Sequence, residues 1–153
     1  MPEIAPDPSS ITPADASVQF DTKVVVALRD DLLPWQELNV TAFLMSGIAT
    51  SAPDLTGEPY RDCDGTAYLP MLRQPVMVLS ANAEQLATAR AKAVGREMAL
   101  AVYTYDMFST GHDAANRAAV AAVAADDLDL VGIALRGPRN GVDRIVKGMR
   151  KHP

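Results

Sequence analysis

The chain has 153 residues and a mass of 16.3 kDa, one domain's worth and enough to bury a core without disulfides or metals. Hydrophobic residues make up 48% and charged residues 22%, a globular rather than a disordered balance, and the longest strictly apolar run, Ala118 to Ala125, is far too short for a membrane span. One cysteine, Cys63, excludes an internal disulfide and a Cys-based zinc site; two histidines leave little room for a metal site, and a net charge of −5 has the wrong sign for a nucleic-acid binder.

Residues 1–20 read as a tail. Pro2, Pro6, Pro8 and Pro13 fall there among Ser9, Ser10 and Ser17, and proline denies a helix its donors. The stretch has no lysine, no arginine and no apolar core, so it is neither a secretory signal nor a transit peptide, and the cytoplasm is the default location. Residues 21–153 form the single folded domain.

Val24 to Leu28 is a continuous run dominated by valine, the mark of a strand buried on both faces. Pro34 sits where a helix can start, and Trp35 to Ala49 reads as that helix, ending near Thr50-Ser51. It is apolar on nearly all sides, so it is either central or covered by a partner, and a homodimer is expected. Residues 51–74 are loop-like. Within them the Asp64-Gly65 turn signal, flanked by Tyr60 and Tyr68, predicts a short hairpin.

Pro75 to Leu79 is the second core strand. Asn82 caps a helix from Ala83 to Val94, which Gly95 ends. Met98 to Tyr103 is the third strand, Asp113 to Ala125 an alanine-rich helix, and the segment Asp129 to Leu135 contains the fourth strand. Gly137 to Gly141 is a tight loop before a last helix, Val142 to Met149. The alternation of strand and helix defines an α/β sheet with helices on both faces.

Charge is segregated. Residues 136–153 carry Arg136, Arg139, Arg144, Lys147, Arg150 and Lys151 against Asp143, a balance of +5 that leaves −10 for residues 1–135. These cations either oppose the dipole of a last helix or meet an anionic ligand. The same choice holds for Gly137, Arg139, Asn140 and Gly141, a plain tight turn or a backbone cradle for an anion. Carboxylates around Cys63 argue against a nucleophilic thiol. His112 has no evident triad partner and reads as a surface residue beside the Asp113 helix.

The stretches Lys23-Val24-Val25-Val26 into Asp31-Leu32, the Asn39 helix, Arg61 to Gly65, Asp106 to Gly111, and above all Asp129 to Pro138 carry a resemblance over about five-sixths of the chain. The sequence resembles a family of proteins of unknown function, the one numbered two thousand, within the peptidyl-tRNA hydrolase type II superfamily. The resemblance implies a three-layer α/β/α sandwich around a mixed four-stranded sheet, often dimeric. In the superfamily's hydrolases a helix lysine and, four residues on, a glutamine work with an aspartate and a threonine four residues apart. Asp106 and Thr110 match the second pair; Leu38 and Ala42 fall at the first. The hydrolase reading thereby loses its cation and its amide.

Asp106 and Thr110 are therefore either a polar pair at a strand end, where α/β folds bind ligands, or caps for the Asp113 helix. Asn39 either faces Asp106 in the same cleft or bonds a nearby loop. The expected function is binding of a small molecule, an anion or a protein partner, with no cofactor and no metal. The alternatives are hydrolysis of an ester or amide through Asp106, Thr110 and Asn39, and a dimeric structural role.

Overall fold

A computed structural model describes residues 18–153. Of the expected tail, residues 1–17 lie outside the described residues. Residues 18–20 precede the first strand without regular structure, and the Phe20 carbonyl accepts a hydrogen bond from Arg139 Nε at 3.3 Å.

The valine run forms β1 (Thr22–Arg29). Its side chains alternate as the pleat requires: Val24, Val26 and Leu28 join one core, Val25 and Ala27 the other. A strand buried on both faces needs helices on both. The helix α1 (Pro34–Ser51) lays Val40, Leu44 and Ile48 on the first face. On the second lie Leu86, Ala89 and Ala93 of α2 (Ala83–Gly95) and Val142 and Ile145 of α4 (Arg139–Ile145). The third helix, α3 (Asp113–Ala121), buries no side chain. The result is a three-layer α/β/α arrangement with four α-helices among the described residues.

The other core strands are β4 (Val76–Ala81), β5 (Ala99–Thr104) and β6 (Leu130–Pro138). β1 runs parallel to β4 and antiparallel to β6, and β5 is antiparallel to β6. Asn82 caps α2 as expected: its side chain accepts from the Gln85 N–H at 2.8 Å, and Gln85 returns the bond to the Asn82 N–H at 2.9 Å. The hairpin is also present, as β2 (Tyr60–Arg61) and β3 (Ala67–Tyr68), with Cys63 exposed beyond it. Asp62 organises its turn. The Tyr68 hydroxyl first, and then the Thr66 N–H, hold the Asp62 carboxyl below its ordinary pKa.

Four expectations are corrected. Among the described residues the sheet has five strands rather than four, in the order β5-β6-β1-β4-β7, because β7 (Arg150–Lys151) pairs antiparallel with Leu79 and Ser80. The last helix stops at Ile145, and Gly148, at φ +90°, turns the chain back onto the sheet. Residues 137–141 are not a loop: Gly137 and Pro138 continue β6 opposite Lys23 and Thr22, and α4 starts at Arg139. β5 stops opposite Arg136, so at Pro138 the strand has a neighbour on one side only, the edge setting in which proline is tolerated. Finally, α3 ends at Ala121 rather than Ala125, since a helix packed on no sheet face has little tertiary support for its last turn.

Candidate binding cleft

Among the described residues β5 is an outermost strand, and one of its edges has no strand partner there. α3 stands off that edge, and between α1, β5 and α3 lies a cleft of about 800 Å³. Its aromatic wall follows from spacing. On α1, Trp35, Asn39 and Phe43 recur every fourth residue and face the cleft, one stripe round from the buried Val40, Leu44 and Ile48.

Phe108 is the hub. It lies on the 3₁₀ turn Tyr105–Ser109 that follows β5. Its ring centroid is 5.6 Å from Trp35, 5.2 Å from Tyr103 and 5.5 Å from Tyr105, while Phe43 stands 6.0 Å from Tyr103. The rings meet edge-on or tilted, the arrangement their quadrupoles favour. Trp35 and Phe43 nevertheless remain 56% and 54% exposed, so the wall is open to a guest.

The polar groups are few. Asn39 Nδ2 donates to the Tyr103 hydroxyl at 3.2 Å. Burial raises the Tyr103 pKa and the Asn39 bond opposes it; the net shift is upward, so the phenol keeps its proton at neutral pH. Thr110 Oγ1 donates to the Met107 carbonyl at 2.8 Å and touches the Asn116 side chain. With one hydroxyl proton, Thr110 satisfies both when the Asn116 amide N–H turns toward it. At the rim, Arg117 pairs with Asp113 one turn away on α3.

The structure thus brings Asn39 and Thr110 to one cleft. Asp106 is exposed on the 3₁₀ turn and is not among the side chains lining it. Neither Asp106 nor Thr110 caps α3. His112 does, its Nδ1 accepting from the Ala115 N–H at 3.2 Å, and its ring also borders the cleft. Asn39 bonds a strand tyrosine, not a loop. Tyr103, Phe108 and the α1 stripe carry the cleft's character and were missed; the four-residue spacing of Trp35, Asn39 and Phe43 is a signal that could have found the stripe, while Tyr103 and Phe108 have none.

The glycine-rich stretch sits elsewhere. A Cβ on Gly137 would lie 2.8 Å from Met98 Cε, so this glycine admits the methionine. The Arg139 N–H donates to the Asp21 carbonyl at 3.0 Å, Asn140 is exposed, and Gly141 lies in the first turn of α4 near Met98 and Arg96. Among the described residues no helix is long and apolar enough to cross a membrane, and no three metal-ligating side chains gather.

Fold and cleft together define an α/β/α protein with an aromatic-walled cavity at the edge of its sheet. The chain belongs to the family described as Protein of unknown function (DUF2000), whose model matches residues 22–153. It is similar to the solved structure of a protein of unknown function from Agrobacterium tumefaciens. The two share 46% identity and a TM-score of 0.86, over 88% of this chain and 100% of that one. No curated protein matches it.

Proposed function

We propose that this chain has a peptidyl-tRNA hydrolase type II-like fold turned to binding: its cleft takes a small, largely apolar molecule and performs no hydrolysis. One observation carries the reading. α1 turns Trp35 and Phe43 toward a cleft of about 800 Å³ and leaves both rings half exposed. Concave, mostly apolar walls with a few placed polar groups are the usual form of a small-molecule site.

The hydrolase alternative has less support. At the positions where the resemblance calls for a lysine and a glutamine stand Leu38 and Ala42, and Leu38 is 74% exposed. Thr110 Oγ1 is committed to Met107 and Asn116, and Asp106 points its chemistry outside the cleft lining. Losing one well-placed electrostatic contact costs about 100- to 1000-fold in rate, and two are missing.

The test is peptide release from purified peptidyl-tRNA at low salt, run beside Asp106→Ala. The expected result is no turnover above the blank for either protein. Robust turnover that disappears in Asp106→Ala would overturn the reading and restore the enzyme.

A further inference from the structure

The Tyr103–Asn39 pair has a proton it cannot place. Tyr103 is only 4% exposed and lines the cleft. Its oxygen accepts from Asn39 Nδ2, so the hydroxyl proton must find another acceptor, and no acceptor among the described residues bonds it. Turning the Asn39 amide over does not help. The hydroxyl would then donate to the amide oxygen, and both N–H groups of the amide would be left without a partner among the described residues. Either way the pair keeps N–H and O–H donors with no partner among the described residues, both residues line the cleft, and a buried donor without a partner is costly.

The surroundings of the pair favour an uncharged acceptor. The charged groups that border the cleft are Arg117 and Asp113, already paired with each other. The ring of His112 is there too, with Nδ1 spent on the α3 cap. A carboxylate beside Tyr103 would lose its hydration and meet only neutral donors. A carbonyl oxygen gives up far less on leaving water and takes the same hydrogen bond.

We infer that the cleft recognises a neutral carbonyl compound with an aromatic or similarly flat apolar body, its oxygen on the Tyr103–Asn39 pair and its body among Trp35, Phe43 and Phe108. This rests on the reading of the cleft as a binding site, and deepens it. The arrangement separates ligands sharply, because a site built around a hydrogen bond rejects the analogue that cannot complete it.

Trp35 is the sole tryptophan and stands in the wall, so its emission reports occupancy. Three probes share one phenyl body: hydrocinnamamide with a neutral carbonyl, hydrocinnamate with a carboxylate, and propylbenzene with neither. The amide should bind at least about tenfold more tightly than either of the others. Tyr103→Phe keeps the ring and removes the hydroxyl; it should erase about tenfold of the amide's affinity and should not weaken that for propylbenzene. Asn39→Leu should act in the same direction.

Equal affinity for all three probes, or an amide affinity indifferent to Tyr103→Phe, overturns the inference while the apolar site stands. Tighter binding of hydrocinnamate overturns it in favour of an anion. No saturable response to any probe removes the binding reading itself, and this inference with it.

Discussion

Gly132 shows how closely the layers meet. A Cβ there would lie 2.6 Å from Val40 Cγ1, 3.1 Å from Leu44 Cδ1 and 3.3 Å from Leu28 Cδ2. The missing side chain is what lets α1 settle on β6 and so holds the Trp35–Asn39–Phe43 stripe at the cleft. Gly132→Ala should destabilise the fold by about 1–3 kcal/mol through overpacking, read from denaturant unfolding at unchanged slope. A change below about 0.5 kcal/mol, no more than an ordinary surface substitution, would mean that α1 shifts freely and does not fix the cleft wall. At this scale the sequence is uneven in what it discloses. The alternation of Val24 to Leu28 between two cores follows from strand pleating alone. The partner of Asn39 does not, because Tyr103 lies 64 residues away and only the closed sheet brings it there. Asp106 and Thr110 were legible as a spaced pair, but the 3₁₀ turn between them, which points one out and the other in, has no comparable signature.

Elements were read best where the hydrophobic period was clean and worst where a single residue redirected the chain. α1 looked apolar on nearly all sides because three duties share it: one stripe for the sheet, one for the cleft, and Leu38 outside. The C-terminal segment looked helical through Met149, yet Gly148 turns it into a two-residue edge strand that no periodicity can reveal. That strand is tied down by its neighbour. His152 Nε2 meets Glu37 Oε2 at 3.0 Å, and the His152 N–H donates to the Val78 carbonyl at 3.0 Å, fastening the chain end to α1 and β4. Glu37, and then the Pro153 carbonyl, raise the pKa of His152 above its ordinary value. The sign follows: a raised folded-state pKa stabilises fully below the unfolded value and is lost as pH rises through the folded one. The melting temperatures of the wild type and His152→Ala should differ more at about pH 5.5 than at about pH 9, on either side of the histidine range. Glu37→Gln should flatten that dependence. A gap independent of pH would mean that the ion pair contributes nothing.

Over the whole molecule the acidic body and the basic end are less separate than their sequence positions suggest. Lys23 pairs with Asp143 at 2.5 Å and Arg136 with Asp54 at 3.7 Å, while Arg139 holds the chain before β1. Part of the basic segment is therefore spent inside the fold, leaving less of it for a phosphate track. Exposed apolar surface is a stronger feature. Leu33 just before α1, Leu38 on it, and Tyr60, Tyr68, Leu69 and Met71 around the hairpin are all at least half exposed. We propose a homodimer on this surface, since such exposure usually marks an interface. Sedimentation at micromolar concentration should return about twice the chain mass, and a clean monomer there would contradict it. The same exposed residues offer a rival to the cleft as the place where an apolar molecule settles. Amide chemical-shift mapping during titration with propylbenzene separates the two directly. The cleft account predicts saturable shifts concentrated at Asn39, Phe43, Tyr103 and Thr110; shifts centred on Tyr60, Tyr68 and Leu69, or none that saturate, would contradict it.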